Sequence, residues 1–233
     1  MLAFRDRGAR GKVNTGWLDS RHSFSFGHYH DPRHMGFGAL RVINEDRVIG
    51  GAGFAPHDHA DMEILSYVLS GALAHKDSLG TGAVIRPGEI QRMSAGSGIR
   101  HSEFNADADI PVHFLQIWIV PDRSGLPPSY EQKRLPVVDR GESRLDLIAS
   151  RDGSDHAVRI HQDARIWRAT LAPGGTLSFD VVPGRRVWVQ IALGIATLNG
   201  GELRAGDGVG ITDETEFELA SEIGAELLLF DLA

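Results

Sequence analysis

Two short stretches limit what this chain can become. Pro56-His57-Asp58-His59-Ala60-Asp61-Met62-Glu63 carries two imidazoles separated by one residue, and Gly98-Ile99-Arg100-His101-Ser102-Glu103 carries an imidazole and a carboxylate at the same spacing. In an extended strand alternate side chains share a face and stand about 6.6 Å apart, so each stretch reads as a two-pronged claw. Two such strands side by side bring facing residues within about 5 Å. Four donor atoms can then converge on one ion at bonds of about 2.0 to 2.2 Å. Three imidazoles and a carboxylate make a mononuclear metal site, and the rest of the chain reads as its housing.

The housing is written in β grammar. The 233 residues suffice for one large domain or two smaller ones. The 28 glycines are scattered between short apolar runs, as in an all-β chain with many tight turns. The absence of cysteine leaves nitrogen and oxygen as the only metal donors, rules out disulfides, and fits a cytoplasmic location. Met1 to Gly8 lacks the apolar core of a signal peptide, and no run approaches the roughly 20 apolar residues of a spanning helix, so a soluble protein is expected. The formal charge of -7 is concentrated in the second half, and from Gly206 onward there are acids and no base. Such a surface repels phosphate backbones and argues against direct nucleic-acid binding.

Along the chain, His22-Ser23-Phe24-Ser25-Phe26 alternates with period two and reads as a strand with one aromatic face. His28-Tyr29-His30, set between Gly27 and Asp31-Pro32, reads as a loop. Glycines from Gly71 to Gly88 suggest a meander of hairpins, and Val112 to Val120 reads as a strand buried on both faces, as inside a closed barrel or sandwich. Pro121, Pro127, Pro128 and Pro136, with polar Tyr130 to Arg134 between them, mark a linker holding one short helical turn. Beyond it the β pattern resumes without ligands, because the only later histidines, His156 and His161, lie near the linker. The chain therefore divides into two antiparallel β-barrel or jelly-roll units, 1–133 metal-binding and 134–233 degenerate. His75 and His113, taken singly, are expected to be hydrogen-bonded core residues, and Asp58 and Asp61 to be solvated. Phe24, Phe26 and Phe54 suit either a pocket for a flat substrate or a core.

These residues resemble a known family. Gly51, His57, His59, Glu63 and Gly71 are similar to the first cupin motif, although Gly71 comes one residue late. Gly88 through Gly96, His101 and Asn105 are similar to the second, with Ser94 in the usual proline place and a loop one residue longer before His101. Together with His22 to Phe26, Gln91-Arg92-Met93 and Gly98 to Glu103, those departures resemble the pirin family of bicupins across residues 1 to about 135. The resemblance implies an N-terminal cupin holding one metal, usually iron, at His57, His59, His101 and Glu103, and a C-terminal cupin without metal. It also implies either quercetin dioxygenase activity or a co-regulator's role. Cupins in general take their carboxylate from the position of Glu63, whereas pirins take it from that of Glu103. Strand parity does not choose, because 57, 59 and 63 share a face in an unbroken strand and a bulge would turn Glu63 away. The pirin pattern assigns Glu103 as the ligand and leaves Glu63 to accept an imidazole N–H.

An open nitrogen and oxygen site suits iron, manganese, nickel or cobalt at least as well as zinc, while the affinity order favours copper. The leading expectation is a monomeric dioxygenase in which a flavonol chelates the metal and Glu103 or a nearby carboxylate takes its hydroxyl proton. A metal- or redox-sensing protein that acts through a protein partner is the second expectation, motivated by the unmetallated, acidic second unit. An isomerase on the same barrel is the third.

Overall fold

The structure is a computed structural model that describes residues 1–139, 141–154 and 156–233. The first half contains β1 (Leu2–Arg5), β2 (Gly11–Asn14), β3 (Leu18–His22), β4 (Leu40–Val48), β5 (Gly53–His59), β6 (Glu63–Ser70), β7 (Leu73–Asp77), β8 (Gly82–Ile85), β9 (Glu89–Ser94), β10 (Ile99–Asn105), β11 (Val112–Ile119) and β12 (Ser129–Arg134). The second half contains β13 (Arg144–Ser150), β14 (Val158–Arg159), β15 (Ala164–Leu171), β16 (Gly175–Asp180), β17 (Arg186–Leu198), β18 (Gly201–Arg204), β19 (Gly208–Ile211), β20 (Glu216–Ser221) and β21 (Ala225–Leu232). A single 3₁₀ turn at Arg7–Ala9 is the only helical element among the described residues.

The all-β expectation therefore holds, and the chain is built in layers. Strands β5-β10-β7-β8 form one sheet, which faces the sheet β12-β9-β6-β11-β4-β3-β2. Leu73, Ile85, Val48, Val68, Val112 and Phe114 fill part of the space between them. The other face of the larger sheet carries Ile43, Leu65, Tyr67, Ile90, Leu115 and Ile117. It packs on Ile148, Ile166, Trp188, Leu228 and Phe230 of the second half. β11 sits between β4 and β6 and is buried on both faces because each face meets a different layer. Its even-numbered residues point toward the small sheet and its odd-numbered ones toward the second half.

The second half repeats the arrangement without a polar interior. β17 leaves one layer and enters the other through a register shift at Leu193 and the left-handed Gly194 (φ 81°), a conformation that suits a residue without Cβ. The interior is closed by Val187, Val189, Ile191, Phe179, Phe217, Leu219, Leu227 and Leu229, which offer no donor to an ion. β1 crosses over to pair with β19, so the N-terminal residues complete the second half's sheet.

Two local expectations need correction, and two others are narrowed. The strand after Leu18 ends at His22. Ser23 and Ser25 give their amides to Ile43 and His34, and Phe24 and Phe26 diverge to different compartments instead of sharing one face. Tyr130 to Arg134 is not a helical linker but strand β12, paired with β9 from Ser129↔Ser94 to Arg134↔Glu89. The hairpin meander holds only for β7 and β8, paired from Leu73↔Ile85 to Lys76↔Gly82, while β5 with β10 and β6 with β11 are long-range pairings that a local turn pattern does not encode. Of the barrel, sandwich or jelly roll expected, the open paths of the sheets leave the sandwich or jelly roll and not a closed ring.

Candidate metal centre

β5 and β10 are antiparallel neighbours with His101 directly opposite His57 and Ile99 opposite His59. Cross-strand pairing thus gathers what the two claws present. The ring centroids of His57, His59 and His101 lie 4.5 to 4.9 Å from one another. Between His101 and Glu103 the register slips, so that Glu103 faces Phe54. The extra residue lies on β5 at Ala55-Pro56, where proline has no N–H to give to the ladder. This bulge lets even-numbered Phe54 line the same cavity as odd-numbered His57 and His59.

Glu103 is buried beneath the imidazoles. Gln116 Nε2 donates to its Oε2 at 2.8 Å, and Ser66 Oγ lies 3.1 Å from its Oε1 and 2.9 Å from Gln116 Oε1. One serine proton cannot serve two acceptors at once, and a protonated Glu103 would supply the second. Burial pushes the Glu103 carboxyl up to about 7, with the nearby Asp46 adding to the effect. Burial lowers His59 to about 4, helped by His57. It lowers His101 to about 3, helped by His57, His59 and His75. His59 and His101 are therefore neutral near pH 7, the state in which imidazole binds metal.

The donor chemistry fits a metal ion. Donor atoms of His57, His59 and His101 lie within 4.8 Å of one another, as do those of His75, His101 and Glu103. His101 is 2 % exposed, yet neither of its ring nitrogens has a hydrogen-bond partner among the described residues. A buried imidazole without partners is costly in a finished fold and ordinary in a ligand. The backbone carbonyl of Ala55 lies 2.8 Å from His57 Nδ1, which leaves Nε2 free. His75 is held by Asp77 at 2.9 Å and stands opposite Glu103 in the β7–β10 ladder.

Glu63 does not join this cluster. The chain turns at Ala60 to Met62, with Asp61 at φ 49°, and passes from β5 into β6 of the other sheet. Parity restarts there: Glu63 shares the face of Leu65 and Tyr67 and points to the second half. It accepts from Ser94 Oγ at 2.9 Å and lies 3.1 Å from His161 Nδ1. It does meet an imidazole, but not one of the three beside the cavity. The bulge considered from parity is present, but it lies before His57 and not between His59 and Glu63. Asp58 is exposed, whereas Asp61 accepts the Gly125 amide at 2.7 Å. His28 and His30 sit exposed in the turn after Phe26. His113 bonds Glu45 at 2.9 Å, as expected, but it is half-buried and not a core residue.

A cavity of about 470 Å³ opens beside the imidazoles. Trp17 meets Phe54 edge-on at 5.2 Å, Phe26 meets Trp118 at 5.2 Å, and Trp118 meets His59 at 4.9 Å. Two aromatic edges thus flank the rings. Of the three candidate phenylalanines, Phe26 and Phe54 line this cavity, while Phe24 packs on Trp188 in the seam between the halves. Sequence reading missed Ser66, Gln116, Trp17, Trp118, Asn44 and Asp46. A usable signal was present, since a glutamine inside the apolar run Val112 to Val120, and Asn44 and Asp46 after Val42-Ile43, are polar groups in buried strands.

Two stacked β sandwiches, one with a His-rich interior beside a cavity and one closed by apolar side chains, define a bicupin with a single candidate metal centre among the described residues. Residues 3–119 match the pirin family and residues 147–232 match the quercetinase C-terminal cupin domain. The chain belongs to the pirin family. It is 44% identical over 232 residues to a quercetin 2,3-dioxygenase of Escherichia coli K12, covering 100% of this chain and 99% of that protein. It is 41% identical to a pirin-like protein of Caulobacter vibrioides, covering 96% of each. The crystal structure of the bacterial pirin YhhW from Escherichia coli in complex with nickel(II) superposes with a TM-score of 0.94 at 44% identity, covering 100% of this chain and 99% of that one.

Proposed function

We propose that the chain is a metal-dependent dioxygenase that opens the ring of a flavonol such as quercetin, with His57, His59, His101 and Glu103 as the ligands of one ion, iron by preference. One observation carries the reading: three clustered imidazoles, those of His59 and His101 held neutral, and a buried, protonatable carboxyl stand at the edge of a cavity walled by aromatic rings. When bound, the ion supplies a Lewis acid for adjacent substrate oxygens and a redox route to O₂.

The chain's own groups do the rest. His57 and His59 on β5 and His101 on β10 hold positions fixed by the ladder, so the donor set is built before any ligand arrives. Trp17, Phe26, Phe54 and Trp118 exclude water and orient a flat ring system. Glu103 or a nearby carboxylate would take the flavonol hydroxyl proton, and Gln116 and Ser66 keep the Glu103 carboxyl in place. The names of the relatives agree with this chemistry. A cytoplasmic location belongs to the same reading and is supported by the absence of cysteine. No helix among the described residues is long and apolar enough to cross a membrane.

The test is anaerobic mixing of metal-loaded protein with quercetin, followed by air. The visible band should shift on mixing and then bleach with oxygen uptake that depends on the ion. Failure to bleach with iron, manganese, cobalt, nickel and copper in turn overturns the assignment.

A further inference from the structure

The deep side of the cavity holds polar groups that the candidate ligand set does not use. Asn44 and Asp46 lie on one face of β4, each 3 % exposed, and both line the cavity. In each, Oδ1 is buried without a hydrogen-bond partner among the described residues. Their polar neighbours on the same wall, Gln116 and Glu103, are already bonded to each other and to Ser66. Folded chains rarely leave two buried oxygens bare in one place unless something else meets them.

The missing complement is a hydrogen-bond donor on a flat framework. A hydroxyl supplies the donor that a carbonyl lacks, and it enters between aromatic edges without the desolvation cost of an ammonium. Because a hydroxyl both donates and accepts, it suits the Asp46 carboxyl in either protonation state. We infer that Asn44 and Asp46 form a hydroxyl-reading subsite that selects flat aromatic substrates by hydroxyls additional to those that chelate the ion. The inference rests on the flavonol reading above and names residues that set its specificity.

Tryptophan fluorescence quenching tests it without turnover. Metal-loaded protein is titrated under nitrogen with 3-hydroxyflavone and with 3-hydroxyflavones bearing further ring hydroxyls. The wild-type chain should bind the hydroxylated members about tenfold more tightly. That ratio should collapse toward one in Asn44→Ala and Asp46→Ala, with one metal retained per chain. Asp46→Asn preserves shape, guards against misfolding of the alanine variant, and should weaken the preference. An unchanged ratio in all three variants overturns the subsite, as does a ratio near one in the wild-type chain. Oxygen uptake reports separately on the dioxygenase reading. Discrimination without uptake keeps the subsite and removes the dioxygenase, uptake with uniform binding does the reverse, and no binding of any flavonol overturns both.

Discussion

Glu63 Oε1 stands 3.1 Å from Nδ1 of His161, a contact that joins the two halves across their seam. Ser66, three residues on and facing the opposite way, reaches Glu103 instead. One strand thus sends one side chain to the seam and another to the candidate metal centre. Glu63→Gln should keep one metal per chain by elemental analysis. Its melting temperature should fall by roughly 2 to 10 °C, from loss of a buried acceptor in a chain of this size. Glu103→Gln should instead lose metal affinity by tenfold or more. Loss of metal from the Glu63 variant and retention by the Glu103 variant would exchange their roles.

Metal uptake should displace a proton from Glu103. Its pKa, pushed up to about 7 by burial, means that it is mostly protonated at pH 6, whereas His101 at about 3 and His59 at about 4 are already neutral. Calorimetric titration in two buffers of different ionisation heat should find about one proton released from this carboxyl per ion at pH 6 and almost none at pH 8. Apparent affinity should climb about tenfold per pH unit below 7 and flatten above it. Equal proton release at the two pH values would remove Glu103 from the ligand set.

The metal-free protein should lose stability as pH rises. Asp46 and Glu103 are each raised to about 7, mainly by burial, from ordinary values of 3.8 and 4.5. The folded chain therefore holds protons that the unfolded chain gives up. Their contribution is full below about pH 4 and is lost as pH climbs through 7. Glu45 works the other way: burial opposes its ionisation, but His113, Arg10 and Arg47 prevail and hold it at about 2. Its contribution is constant above pH 5. Melting temperature measured in chelator should drop by about 5 to 10 °C between pH 5.5 and 8.5, and Asp46→Asn should flatten that slope. A slope identical in the variant would place the titration elsewhere.

The candidate centre was legible because its information is local. Asp58 and Ser102 separate donors by one residue, and period two does the rest whenever the segment is extended. Glu63 was not legible by the same rule, because the left-handed Asp61 ends one strand and parity restarts in another sheet. The strand at Tyr130 to Arg134 was hidden because its cause is β9, far away in sequence, and not its own polar composition. The residues that orient Glu103 were hidden likewise. Gln116 lies on β11 and Ser66 on β6, and only the β6–β11 register places them together. The second half's only histidines, His156 and His161, lie near its start, and apolar side chains fill its interior among the described residues.

Phe24 separates seam from cavity in a testable way. It is 2 % exposed, with its ring 4.8 Å from that of Trp188, while Phe26 lies over Trp118 beside the imidazoles. Removing a buried phenylalanine costs about 3 to 5 kcal/mol through lost burial and the void left behind. Phe24→Ala should lower the melting temperature by roughly 10 °C with metal content unchanged, because no donor lies in the seam cluster. Phe26→Ala should cost less stability, since that ring is only half-buried, and should weaken flavonol binding through loss of one aromatic edge. Scanning calorimetry and fluorescence titration on the two variants decide the matter. Equal effects of both on ligand binding, or a Phe24 variant as stable as the parent, would mean that seam and cavity are not independent compartments.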